Sequence, residues 1–121
     1  MDIKDITHKS LEVVNNEYRN REYWIDISIP EFSCVCPRTA LPDYATIEIH
    51  YIPNKKIVEL KSLKLYMVQY RSIGIFHENV TNKILDDLVA ALAPKKIIIN
   101  GVFNARGGIQ TTVSAEWKNN L

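Results

Sequence analysis

Cys36 is followed by Pro37 and Arg38 in an irregular stretch of the chain, a setting in which a thiol is partly exposed and a neighbouring cation favours the thiolate. Those are the needs of a nucleophile, although a free cysteine also serves as a small buried hydrophobe. Asp43 lies seven residues further on, after Pro42. A carboxyl beside a cysteine passes protons to an intermediate when burial keeps it protonated, while a Pro-Asp pair equally shapes a turn. Glu59, His77 and Glu78 form a second set, at element ends where side chains converge on pockets. Carboxylates suit a ligand rich in N–H donors; singly, each also reads as a solvated charge, and Glu78, beside Asn79, as a favourable anion at a helix N-terminus. Lys61 and Lys64, three apart on a helix, and Arg106 in the Asn104 to Gly108 loop suit phosphate groups, the plainer reading being a solvated basic face.

Other chemistries find less support. There is neither a G-x-G-x-x-G run nor a P-loop, so a nucleotide would be held without the dinucleotide-binding fold. Cys34 and Cys36 form a C-x-C pair with no second C-x-x-C or H-x-x-x-H, far from zinc spacing. Two residues apart on an extended segment, they project to the same side, which permits oxidative capping of Cys36.

The elements that must position these groups follow from hydrophobic spacing. Tyr23, Ile25, Ile27 and Ile29 alternate with polar residues as one strand, ended by Pro30. Glu31 to Tyr44 holds no sustained period and reads as an ordered loop. Ala45 to Ile52 alternates again, Pro53-Asn54 turns the chain, and Ile57 to Leu60 is a short extended piece. Leu63, Tyr66, Met67 and Tyr70 then fall on one helical face, and Asn79 to Ala93 gives a second helix stopped by Pro94. Ile97 to Phe103 and Ile109 to Trp117 read as strands joined by a Gly107-Gly108 hairpin, with Ile109, Thr111, Val113, Ala115 and Trp117 inward. Strand, strand, helix, helix, strand, strand is an α+β sheet with helices on one face. Its two open edges call for association.

The 121 residues, 46% hydrophobic and 24% charged, fit one globular domain. Fifteen Lys and Arg against 14 Asp and Glu leave a formal charge of +1, which disfavours direct binding of nucleic acid by bulk electrostatics. No apolar run approaches the roughly 20 residues of a membrane span. Met1 to Ser10 lacks the apolar core of a secretory signal, so the expected location is cytoplasmic.

Glu59-Leu60-Lys61-Ser62-Leu63-Lys64-Leu65-Tyr66 resembles the signature of the NADPH-dependent 7-cyano-7-deazaguanine reductases, the QueF-type nitrile reductases. Phe32 to Thr39 with Pro42 to Ile47, Phe76-His77-Glu78, and Phe103 to Gly108 resemble further blocks of that family, in order, over residues 22 to 117. The resemblance implies an N-terminal extension, 1–21, and a single domain, 22–121. It implies a ββααββ tunnelling fold: a four-stranded antiparallel sheet with two helices on one face, closing with other subunits into an oligomeric barrel. A decamer of two stacked pentamers, with active sites between subunits, is the expected assembly.

The same resemblance makes Cys36 the nucleophile that forms a thioimide with the nitrile and Asp43 the proton donor. Glu59, Glu78 and His77 would hold the deazaguanine ring, with Val58 and Leu60 lining the same stretch, and Lys61, Lys64 and Arg106 would contact NADPH. Two NADPH per turnover and no metal would yield 7-aminomethyl-7-deazaguanine for the queuosine modification of tRNA. The nearest alternative is an amidine-forming relative acting on deazaguanine-modified tRNA, against which the intact Lys61-Ser62-Leu63-Lys64 argues.

Overall fold

A computed structural model describes residues 1–120. In chain order the elements are β1 (Val13–Asn15), β2 (Ile25–Val35), β3 (Pro42–Ile52), β4 (Lys56–Val58), α1 (Leu60–Val68), α2 (His77–Leu92), β5 (Lys96–Phe103) and β6 (Thr112–Lys118). Four strands form an antiparallel sheet in the order β2-β3-β5-β6, and β1 pairs antiparallel with β4 as a separate ribbon. Alternation along β3 and β5 buries Ala45, Ile47, Ile49, Tyr51, Ile97, Ile99 and Phe103 on the face covered by the helices. The expected helical face of Leu63, Tyr66, Met67 and Tyr70 is buried, with Tyr70 on a 3-10 turn, Gln69–Ser72, that extends α1. Val80, Ile84, Leu85, Leu88 and Leu92 form the matching stripe of α2. Each such side chain contributes about 1.5–3 kcal/mol on leaving water.

Three boundaries differ from the expectations drawn from sequence. The stretch from Glu31 to Tyr44 is mostly strand, and only residues 36–41 form the loop. The register shifts between Ile29 and Phe32, so the inward positions change from Ile27 and Ile29 to Phe32 and Cys34. An extra residue in a strand reverses the phase of alternation, which is why the sequence pattern breaks off at Pro30 although the strand continues. At the other end of the chain, Ile109 is 72% exposed and belongs to a turn, with β6 starting at Thr112. Gly107 and Gly108 have φ of +59° and +80°, the two left-handed positions of a type I′ turn, closed by paired bonds between Arg106 and Ile109. Finally, α2 starts at His77 rather than Asn79, which puts His77 and Glu78 in its first turn.

Residues 1–21 join the same core. Ile6 and Leu11 are buried, the Glu12 N–H donates to Ser62 Oγ at 2.9 Å, and the Glu59 N–H donates to the Glu12 carbonyl at 2.9 Å. This segment therefore braces the start of α1. Among the described residues no helix is long and apolar enough to cross a membrane.

Candidate active site

Cys36 sits just past the end of β2, in the tight connection to β3. Its N–H donates to the Leu41 carbonyl and its carbonyl accepts from the Ala40 N–H, both at 2.9 Å, with Ala40 held at a left-handed φ of +59°. The turn folds Thr39 back toward the sulfur. The Cys36 thiol is held below its ordinary value of 9.0, first by the Thr39 hydroxyl, then by the backbone N–H groups of Thr39 and Arg38. Burial and the negative charge of Asp43 oppose the shift. Where the sequence pointed to the cation of Arg38, the structure uses its peptide N–H, a fixed donor that stabilises the thiolate without a side-chain entropy cost.

Asp43 stands opposite Cys34 in the β2–β3 register and is only 5% exposed. Arg106 Nη1 donates to Asp43 Oδ1 at 2.7 Å and to the Pro42 carbonyl at 2.8 Å. On the other oxygen, His77 Nε2 lies 3.2 Å from Oδ2. The His77 ring is stacked on Phe103, centroids 3.7 Å apart and planes within 5°. Its carbonyl accepts from Thr81 Oγ1 at 2.9 Å, which ties the first turn of α2. The approach to that turn is also fixed: Val35 donates to the Ile73 carbonyl and accepts from Ile75 N–H, so residues 73–75 run beside β2 and deliver His77 to Asp43.

Glu59 lies elsewhere. It caps α1, Oε2 accepting from the Lys61 N–H and Oε1 from the Ser62 N–H, both at 2.8 Å, and these bonds hold its carboxyl below the usual value. The neighbouring Val58 N–H donates to Tyr51 Oη at 3.1 Å. Tyr51 pairs with Ile25 and Ile97, at the end of the sheet opposite to Asp43. The eight residue steps from Asp43 to Tyr51 span roughly 26 Å of strand. Within one chain the predicted site is thus two clusters: Cys36, Asp43, His77, Glu78 and Arg106 belong to one end, and Val58, Glu59, Leu60 and Lys61 to the other. Leu60, Lys61, Lys64 and Glu78 are exposed, and Val58 is buried.

Arg106, grouped with Lys61 and Lys64 as a phosphate contact, is engaged with Asp43. Two contributors have little signature in the sequence: Thr39, whose only signal is a hydroxyl three residues after the cysteine, and Phe103, a strand-end aromatic that lies under His77. Cys34 is fully buried, and burial with the charge of Asp43 pushes its thiol up to about 12. It is a core residue and poorly nucleophilic.

A cleft of about 320 Å³ runs between the edge strand β2 and α1, lined by Ile29, Phe32, Leu63, Met67, Lys64 and Arg71. Lys61 and Lys64 project from the exposed side of α1, and the Arg106 side chain is 39% exposed. Lys61 and Lys64 are accessible cations of the kind that bind phosphate groups, while Arg106 stands with Asp43 at the other end of the sheet. Among the described residues no group of three His, Cys, Asp or Glu side chains is arranged to hold a metal ion.

Comparison with known proteins bears on this geometry. The family model for QueF-like protein matches residues 42–120. The NADPH-dependent 7-cyano-7-deazaguanine reductase of Chloroherpeton thalassium is 58% identical over 108 residues, covering 89% of this chain and 93% of that one. Those of Chlorobium phaeovibrioides and Nitrosococcus oceani are 55% and 51% identical, covering 87% and 92% of this chain and 90% and 86% of theirs. Among solved structures, the archaeosine synthase QueF-Like in its apo form superposes with a TM-score of 0.72 at 22% identity, over 77% of this chain and 91% of that one. That likeness establishes the fold, an α+β tunnelling fold. With the matched family region and relatives above half identity along nearly the whole chain, this protein belongs to the QueF-like family.

Proposed function

We propose that this protein is an NADPH-dependent 7-cyano-7-deazaguanine reductase, using Cys36 as nucleophile and Asp43 as proton donor. The observation that carries the mechanism is the Cys36 thiol, held low by its own turn and within the electrostatic reach of the buried Asp43. The Cys36 thiol gives its proton to the Asp43 carboxylate as its sulfur adds to the nitrile carbon; the S–C bond forms as C≡N becomes C=N, and the Asp43 carboxyl passes that same proton to the nitrogen, leaving a thioimide. NADPH, held by Arg106 of one copy and by Lys61 and Lys64 of a second copy, supplies the two hydrides that conversion of a nitrile to a primary amine requires. Return of the sulfur as thiolate between the two reductions regenerates Cys36. His77 and Glu78 at the start of α2 orient the ring and its exocyclic donors.

Glu59, Val58 and Leu60 complete the deazaguanine pocket from a second copy of the chain, because one copy holds them at the far end of its sheet. The open edges, β2 and β6, supply the surfaces for that assembly. Both cysteines are free thiols, which suits the reducing cytoplasm.

Intact-protein mass spectrometry after mixing with 7-cyano-7-deazaguanine tests the reading. The expected result is an adduct on Cys36, discharged by NADPH with two molecules consumed per nitrile. An adduct that persists without NADPH oxidation points to amidine-forming chemistry, and absence of an adduct overturns the role of Cys36.

A further inference from the structure

The face of the sheet turned away from the helices carries a charged cleft that the proposed reaction leaves unused. It lies at the Tyr51 end, encloses about 740 Å³, and is lined by Lys55, Lys95, Lys96 and Lys118 together with Trp24 and Ile52. Glu22 is the one carboxylate among the described residues that line it. Four lysines against one glutamate give the cleft a formal charge of +3 in a chain whose total is +1, so the rest of the chain is net negative.

The strand register sets four of these groups in one row. Ile52 pairs with Lys96, and Lys96 with Lys118. Trp24 precedes Ile25, the partner of Tyr51, and so continues β2 to a place opposite Ile52. All four fall on the open face, because their neighbours Ile25, Tyr51, Ile97 and Trp117 pack into the core. At roughly 4.8 Å per strand the row runs about 14 Å from Trp24 to Lys118, with an indole 47% exposed at one end and two amines at the other.

Lys96 and Lys118 stand directly opposite each other, and like charges so placed destabilise a sheet. Among the described residues neither they nor Lys55 and Lys95 form an ion pair, and Lys95 Nζ donates to the Arg19 carbonyl at 3.5 Å. Lys95 and Lys96 are also partly buried. A repelling set of cations that no carboxylate neutralises is relieved by a bound polyanion. The exposed indole adds a stacking face for a base.

We infer that this cleft binds a nucleoside polyphosphate, with its phosphates held by the four lysines and its base against Trp24 and Ile52. The site is separate from the cofactor contacts Lys61 and Lys64, which belong to α1 on the other face of the sheet. Assembly through the edges of β2 and β6 leaves it open, since edge pairing uses backbone groups and not the side chains of this face.

The test is calorimetric titration of ATP, without added metal, into the assembled full chain, beside inorganic tripolyphosphate. One ATP per chain is expected, bound more tightly than tripolyphosphate. Lys96→Gln combined with Lys118→Gln should weaken ATP at least about tenfold, Trp24→Ala should weaken ATP but not tripolyphosphate, and Lys61→Gln combined with Lys64→Gln should leave ATP binding unchanged. Failure of ATP to bind overturns the site. So does affinity that survives the loss of Lys96 and Lys118 but falls with Lys61 and Lys64, which places the nucleotide at the cofactor contacts. Tripolyphosphate binding as tightly as ATP overturns the nucleotide in favour of a simple polyanion. Without ligand, the Lys96→Gln, Lys118→Gln variant is expected to melt a few degrees above the unaltered protein, because a repulsion has gone; a lower Tm would show that these lysines serve folding and overturn their assignment to a ligand.

Discussion

Asp43 and Tyr51 lie on the same buried face of β3, eight residues apart, one beside the nucleophile and the other anchoring the strand that leads into Glu59. The two groups required for one reaction thus sit at opposite ends of one sheet. If a site combines the Cys36 end of one copy with the Glu59 end of another, inactive variants must complement. Cys36→Ala and Glu59→Gln, each inactive alone, are expected to regain activity when dissociated and reassembled together. Mixed assemblies without recovered turnover would exclude a shared site.

The hydrogen bonds around Cys36 make a contrasting pair of variants. Thr39→Val removes the hydroxyl that is the largest cause of the lowered thiol, so the midpoint of Cys36 alkylation against pH should move up toward 9.0. Alkylation at pH 7 should slow by roughly two- to tenfold, the worth of one hydrogen bond. Arg38→Ala keeps its peptide N–H and is expected to leave the midpoint in place. A shift in Arg38→Ala as large as in Thr39→Val would restore the cation as the cause.

Glu59 serves α1 as well as the proposed pocket. Its carboxyl is held low in the folded chain by the Lys61 and Ser62 N–H groups, so its contribution to stability is present above the unfolded value and lost as pH falls through the lowered folded value. Glu59→Gln should therefore melt a few degrees below the unaltered protein at pH 7, with the gap closing in acid. A gap independent of pH would show that ionisation of Glu59 is not what caps the helix.

Much of the fold was legible in the sequence because the signals are local. Helical spacing placed Leu63, Tyr66, Met67 and Tyr70, and the block around Glu59 carried the family signature. The bulge after Ile29 was not legible, since one inserted residue inverts the alternation and makes the continuation to Cys34 look like a loop. Neither was the pairing of Arg106 with Asp43, 63 residues apart, which depends on β5 lying beside β3. The separation of Glu59 from Cys36 has the same origin: spacing along the chain says little about which end of a sheet a residue reaches.

Gly101 links packing to the placement of His77. A Cβ added there would lie 2.5 Å from Thr81 Oγ1 and 3.1 Å from the Phe103 ring, so β5 and α2 approach as closely as they do only because that atom is missing. Gly101→Ala must push Thr81 aside, at a cost of roughly 1–3 kcal/mol for overpacking. The displaced hydroxyl is the one that donates to the His77 carbonyl, so turnover should fall along with stability. Thr81→Ala in the same chain removes the clashing oxygen, and the double variant should be more stable than the sum of the single losses predicts. Activity should stay low in that double variant, because relief of the clash does not restore the tie on His77. Recovery of full turnover together with Tm would show that the Thr81 hydroxyl plays no part in holding His77 over Phe103.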